Sequence, residues 1–321
     1  MPSKFGVLVP QGWRLDLVDI ADPVEKYEHM TRFGQEAERL GYDSIWVYDH
    51  FHTVPTQELE TTFECWITTA ALARDTSTIR IGQMVTCNNY RHPALLAKMA
   101  STVDVLSHGR LDFGIGAGWY EEEYRAYGYP FPDGPERLRM LDEALQIFHA
   151  MWKEPYATFA GKYYQVNGAI NEPKGVQQPH MPIWVGGSGE KVTLKLVAKY
   201  GDACNITSLA PDGYRHKFDI LKQHCDNVGR DYDSIIKSAH VFMTLLEPGQ
   251  DQEAGTERWR RGASLDEYKT RNFVGTTQET VEYFRSLEEA GVEYFVIYFR
   301  NDLTRFDTLQ TFAEEVMNQF R

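Results

Sequence analysis

No stretch of the chain comes near the roughly 20 consecutive apolar residues that cross a bilayer. The N-terminal MPSKFGVLVPQG has neither the long apolar core nor the cleavage site of a secretory leader. Cysteine is scarce: Cys65, Cys87, Cys204 and Cys225 stand far apart with no C-x-x-C pair, which argues against a zinc knuckle or a disulfide framework and fits a reducing, cytoplasmic compartment. Positive charge is in deficit too. With 33 Lys+Arg against 46 Asp+Glu the formal net charge is −13, and no basic cluster exceeds Arg258-Trp259-Arg260-Arg261, so neither nucleic acid nor an anionic membrane is an expected partner. An anionic cofactor would have to be held by local devices such as helix N-termini, glycine nests and a few arginines.

What the chain does contain is core. Hydrophobic residues make up 42% and aromatic residues 13% of the 321 positions, which suits a large globule and excludes global disorder. Length alone would allow two domains, yet α/β barrels commonly pass about 250 residues as one unit. Eight short apolar runs recur: Phe5–Val9, Ser44–Tyr48, Ile79–Val85, Leu111–Gly116, Pro182–Gly187, Ala203–Thr207, His240–Leu246 and Tyr294–Phe299. Most are continuous rather than alternating, as strands covered on both faces are. Between them lie stretches of helical spacing, such as Leu95, Met99, Val103, Leu106 and Leu138, Leu141, Leu145, Phe148, Trp152, read as faces packed on the sheet. Gly41, Gly109, Gly201 and Gly291 each end a helix two or three residues before a strand, as left-handed caps would. This repetition over eight strands predicts a (β/α)8 TIM barrel, one domain over residues 1–321.

Two segments fall outside the repeat. Residues 153–181 hold Tyr156-Ala157-Thr158-Phe159 and Tyr163-Tyr164-Gln165-Val166 around Ala160-Gly161-Lys162, a hairpin inserted before strand five. Residues 247–263, EPGQDQEAGTERWRRGA, predict a long polar loop after strand seven, of a length often used as an active-site lid.

Barrel enzymes collect reactive groups at the C-terminal ends of their strands. His50 is the histidine at such an end with a carboxylate, Asp49, beside it, a pattern that fits a proton donor or acceptor near neutral pH and equally a structural hydrogen-bonding group. His50 and His52 alternate onto one strand face, but the neighbouring strand ends offer Thr, Gly, Ser and Trp instead of further ligands, so no metal is expected. Gly186-Gly187-Ser188-Gly189 runs into a predicted helix Glu190–Tyr200 whose first amides could take a phosphate, or could simply turn the chain. Gly114, Gly116 and Gly118 are not the dinucleotide fingerprint, because the third glycine comes one residue early. They imply that a ligand plane or a neighbouring strand approaches strand four closely.

Five segments together resemble the luciferase-like barrels, and within them the branch that uses the deazaflavin coenzyme F420. They are Asp43-Ser44-Ile45-Trp46-Val47-Tyr48-Asp49-His50-Phe51, Tyr90-Arg91-His92-Pro93, Gly109-Arg110-Leu111-Asp112-Phe113-Gly114-Ile115-Gly116-Ala117-Gly118-Trp119, Phe159-Ala160-Gly161-Lys162-Tyr163-Tyr164 and Pro182-Ile183-Trp184-Val185-Gly186-Gly187. The resemblance spans nearly the whole chain. It implies a tricyclic ring lying flat in the barrel mouth against a non-prolyl cis peptide at Met84-Val85, with Asp49 and Thr86 in the same cofactor-binding set. It places phosphate-binding loops at Ala117-Gly118, Gly186-Gly187-Ser188 and Thr207, and a catalytic His50 beside the reacting ring carbon. The family's sugar-phosphate dehydrogenases differ: their strand-four glutamate falls on Trp119 and their phosphate-holding lysine on Leu209, which argues against glucose 6-phosphate as substrate. Trp119, with Trp13 opposite, suits a flatter or more apolar molecule. The expected protein is an F420-dependent oxidoreductase passing hydride to or from a small organic substrate. The alternatives are an FMN-dependent monooxygenase of the same architecture and a non-catalytic flavin-binding barrel; a homodimer is the ordinary expectation.

Overall fold

The computed structural model describes residues 2–321. Eight parallel strands form a ring: β1 (Lys4–Leu8), β2 (Ser44–Val47), β3 (Arg80–Gln83), β4 (Leu111–Gly116), β5 (Ile183–Gly186), β6 (Ala203–Thr207), β7 (Ile236–Leu245) and β8 (Tyr294–Phe299). Each pairs with its successor, and β8 returns to β1 in the register Lys4↔Tyr294 to Val7↔Ile297, which closes the (β/α)8 barrel. The eight apolar runs of the sequence are these eight strands.

Strand alternation sorts the side chains into two layers. Phe5, Val7, Ile45, Ile81, Phe113, Ile183 and Val185 point outward into the core shared with the helices, whereas Leu8, Trp46, Trp184, Tyr294 and Val296 point into the barrel. There Trp46 and Trp184 meet edge to face at 4.8 Å, and Tyr294 meets Trp184 at 5.0 Å. Ser44 Oγ accepts from both Trp46 Nε1 (2.6 Å) and Tyr294 OH (2.7 Å), which satisfies two polar groups that would otherwise be buried alone. A Cβ on Gly6 or Gly82 would fall 2.4 Å from the Trp46 ring, so these two glycines make room for the plug. The inward side chains fill the lower barrel, and a cavity opens above them at the C-terminal strand ends. On the outside, Phe312 and Phe320 pack against Phe5, with ring centroids 5.8 and 5.6 Å away.

Several expectations need correction. In the helix Pro93–Leu106 the buried face is Leu96, Ala97, Ala100 and Val103, while Leu95 is 56% exposed, because the stripe read from the sequence is rotated by one position. Gly41, Gly109 and Gly291 take the left-handed conformation, but Gly201 sits at φ −83° and ends its helix in extended backbone. The inserted hairpin pairs Ala157–Ala160 with Gln165–Ala169, and Glu143 holds its turn by accepting from the amides of Lys162, Tyr163 and Tyr164 at 2.7, 2.9 and 3.0 Å. Residues 247–263 are not a structureless loop: Gln252–Arg260 is a helix whose N-cap, Asp251, accepts from the Ala254 amide. Its arginines anchor it across the barrel top, Arg258 to Asp19 and Arg261 to Glu58. A further strand, Phe273–Gly275, extends the sheet beside the outer half of β7. Among the described residues no helix is long and apolar enough to cross a membrane.

Candidate active site

Above the tryptophan plug lies a cavity of about 620 Å³, within the range of ordinary small-molecule and cofactor sites. Trp13, Asp49, His50, Met84, Val85, Thr86, Ala117, Gly118, Trp119, Gly186, Gly187 and Thr207 all line it, and Ser188 does not. Arg14, Tyr48, Asn205, His240, Phe242 and Arg271 also line it, none of them singled out in the sequence.

The carboxylate that serves His50 is not the one beside it in sequence. Asp49 turns away, accepting from the Cys87 amide (2.9 Å) and, through both oxygens, from Arg91 (2.6 and 3.0 Å); it ties β2 to the segment after β3. His50 Nδ1 instead lies 2.8 Å from Glu123 Oε2, on the short helix Glu121–Ala126 after β4. Glu123 is fully buried and also accepts from the Phe51 amide (2.8 Å) and Tyr90 OH (2.9 Å). Burial alone would push this carboxyl up, but the hydrogen bonds from His50, Phe51 and Tyr90 together hold it below the ordinary value. An ionised carboxylate only accepts, so Nδ1 carries the hydrogen, and Nε2, which has no protein partner, is the atom free to exchange a proton. Trp13 lies parallel to the imidazole, with centroids 4.9 Å apart and planes 6° apart, and Trp119 meets it edge-on at 6.1 Å. The two tryptophans therefore flank His50. Trp119 is 61% exposed and forms the rim, while Trp13 is buried. The sequence carried only a weak sign of Glu123, an acidic run Glu121-Glu122-Glu123 at a helix start, with nothing to say which member turns inward.

His50 and His52 do not share a strand face, since β2 ends at Val47 and His52 turns to the Thr53 carbonyl (3.0 Å). Among the described residues no group of three potential metal-ligating side chains comes together.

The peptide Met84-Val85 is cis, and Val85 faces the cavity. The glycines around it answer the question left open by strand four. A Cβ on Gly116 would fall 2.8 Å from the Val85 side chain, one on Gly186 2.9 Å from it, and one on Gly114 1.7 Å from the Gln83 carbonyl. It is the neighbouring strand that comes close, and Val85 stands on a glycine floor as a raised apolar seat. Beyond it, Gly187 sits at φ +127° and spends its amide on the Asn205 carbonyl (3.0 Å). The helix that follows is Thr193–Tyr200, three residues later than expected. The amides of Ser188 to Val192 therefore lie in a turn, where the described residues offer them no acceptor. A seat for a flat ring, an aromatic wall and a set of free amides fit a flavin-like group with an anionic tail.

The opposite wall, at the ends of β1, β7 and β8, combines aromatic side chains with buried polar groups. His240 on β7 is buried with Nε2 2.8 Å from Tyr48 OH, and burial, with Arg300 and Arg14 nearby, pushes it down to about 3. Asp16 is buried too, accepting from the Gly12 amide (2.6 Å) and Tyr298 OH (2.7 Å).

A closed eight-stranded barrel with an aromatic, glycine-floored mouth and a buried His–Glu pair at its C-terminal end places the chain among the barrels whose chemistry sits at the strand tips. Residues 3–271 match the model of the luciferase-like monooxygenases, and the chain belongs to that family. It is 28% identical to an F420-dependent glucose-6-phosphate dehydrogenase of Kineococcus radiotolerans, over 82% of this chain and 76% of that protein. It is 35% identical to an FMNH(2)-dependent dimethylsulfone monooxygenase of Pseudomonas putida, over 67% of this chain and 68% of that protein. Against an uncharacterized protein of Mycobacterium tuberculosis the identity is 31%, and the match spans 52% of this chain and 63% of the relative's length. Among solved structures, an F420-dependent secondary alcohol dehydrogenase in complex with an F420-acetone adduct superposes with a TM-score of 0.82 at 20% identity, covering 100% of this chain and 98% of the other, a likeness of fold.

Proposed function

We propose that the chain is an oxidoreductase that holds coenzyme F420 in the barrel mouth and acts on a small organic substrate, with His50 Nε2 giving or taking the proton. The observation that carries this reading is the His50–Glu123 pair (2.8 Å), which fixes the imidazole's tautomer and leaves its free nitrogen at the cavity that His50 lines. When bound, the cofactor supplies or accepts hydride. The chain's own residues orient and exclude. Val85 would seat the ring face, Thr207 and the free amides of the turn beyond Gly187 would hold the anionic tail, and Trp13 and Trp119 flank His50 on two sides. Glu123 holds the ring in place through Nδ1 and leaves Nε2 facing the mouth. Titration of the purified chain with F420 and with FMN, followed by fluorescence, tests the cofactor; tighter binding of FMN would move the protein to the other branch.

FMN-dependent monooxygenation is the second reading, favoured by the 35% identity to the dimethylsulfone monooxygenase. Oxygen consumption by the chain with reduced FMN separates the two. In either case His50→Ala is expected to keep cofactor affinity within about twofold while turnover falls at least tenfold, which is about 1.4 kcal/mol of transition-state stabilisation. Unchanged turnover would remove His50 from the chemistry, and the absence of any turnover in the unaltered chain would leave a passive carrier.

A further inference from the structure

The acidic surplus of this chain gives nearly every inward-lying arginine a carboxylate. Arg80 has Asp112, Arg91 has Asp49 and Glu64, and Arg260 has Glu253. Arg110 has none, but its guanidinium is saturated by the carbonyls of Ala73, Thr76, Ile79 and Ser107. Of the arginines that line the cavity without a carboxylate, Arg271 is exposed and Arg137 spends its donors on the Gly118 and Pro132 carbonyls. Arg14, also in the lining, and Arg300 behind it are different. Arg14, just past β1, lies over the Trp13 ring at 4.3 Å and makes one hydrogen bond, from Nη1 to the Val54 carbonyl at 3.2 Å, leaving Nε buried without a partner. Arg300, just past β8, rests on the rings of Tyr298 (4.8 Å), Phe242 (5.4 Å) and Trp259 (6.0 Å), and its Nε is likewise buried and unpartnered. The carboxylate nearest by position, Asp16, has both oxygens occupied by Gly12 and Tyr298 and forms a salt bridge with neither arginine. Burial and the charge of Arg300 push Arg14 down to about 10, so the two cations oppose each other in a weakly screened space. Buried guanidinium donors without acceptors are costly unless something supplies the anion.

We propose that Arg14 and Arg300 form the subsite for an anionic head on the substrate, so that the molecule turned over is an organic oxyanion, a carboxylate in the simplest case, with a flat or apolar body along Trp13 and Phe242. This rests on the oxidoreductase reading and deepens it. The position argues against the cofactor's own tail as the occupant. In the strand order β1 stands across the ring from β5, and the free turn amides follow β5, so the barrel mouth has two anion-binding poles on opposite walls. Arg14 lines the cavity together with Trp13, Tyr48, His240 and Phe242, within the same space that His50 faces. The planar fork of arginine matches a carboxylate through two donors, which fixes orientation as well as charge.

The test uses benzoate and the isosteric neutral benzamide as probes, measured by calorimetry on the full chain with and without bound flavin. Benzoate is expected to bind at least tenfold tighter than benzamide. Arg14→Gln and Arg300→Gln should each erase that preference while F420 and FMN affinities stay within twofold, and Arg14→Lys should keep part of it. Should Arg14→Gln fail to fold, the wild-type comparison and the Arg14→Lys variant still decide. Equal binding of the two probes would overturn the proposal. So would variants that lose flavin instead of benzoate, which would assign the arginines to the cofactor's tail. A chain that binds benzoate through these arginines but neither flavin nor deazaflavin would keep the anion subsite and sink the oxidoreductase reading instead.

Discussion

Glu123 is the residue on which the chemistry of the mouth turns. A fully buried carboxylate accepting from an imidazole, a phenol and a backbone amide is stable only while every donor is present, because each bond replaces one that water would have made. Glu123→Gln keeps the shape but aims an NH2 at donors. We expect a loss of about 1–3 kcal/mol in unfolding free energy, measurable by urea denaturation near neutral pH; a change under 0.5 kcal/mol would mean that the pocket repacks freely. Val85 permits a sharper experiment. Gly116→Ala sets a methyl 2.8 Å from the valine side chain and should cost about 1–3 kcal/mol. Val85→Ala should be tolerated on its own and should restore most of the stability lost in Gly116→Ala. Additive losses in the double variant would show that Val85 is not what the glycine accommodates.

Elements show where the sequence was readable. Continuous apolar runs such as Leu111–Gly116 and Ala203–Thr207 coincide with their strands residue for residue, because both faces of a barrel strand are buried and polarity alone marks their ends. The mouth is harder to read, since it is assembled from loops. His50 and the loop glycines stand out by residue type, whereas Glu123, Arg14 and His240 acquire their partners only through tertiary contacts 73, 40 and 192 positions away in sequence. The helix Gln252–Arg260 was hidden by its composition. It is polar on most sides, with Gly255 inside, and stands because of Asp251, ion pairs and Trp259 against Tyr268 and Val274. An element with so little buried surface opens readily. Hydrogen exchange should be faster there than in β4 or β8, and Asp251→Ala, at a cost of about 1 kcal/mol for the cap, should speed it about fivefold while leaving the barrel strands unchanged. Exchange as slow as that of β8 would place this helix in the rigid body of the fold.

At the scale of the whole molecule, acid should be the weak side. His240 and His149 are held neutral, pushed down to about 3 and about 4, first by burial and then by cationic neighbours. Unfolded, both would protonate near 6.5. Between those limits the unfolded chain binds more protons, so stability rises with pH and falls on acidification from about 6.5, by up to about 1.4 kcal/mol per pH unit for each histidine. Glu123 adds its own loss lower down. With a depressed folded value, its contribution is present above about 4.5 and disappears as the pH drops through the native value. Urea midpoints at pH 7.5, 6 and 5 should decline steadily, and His240→Gln should flatten the slope; equal midpoints at all three values would contradict the burial of these imidazoles.

The pairing of Phe5 with Phe295 sets a timetable for assembly. A ribosome adding roughly 5–20 residues per second delivers the second strand of that pair on the order of 15–60 s after the first, and joining segments so distant carries a chain-entropy penalty of about 5 kcal/mol. During that interval the first strand has a neighbour on one side only, and its other edge is open to any partner the cell presents.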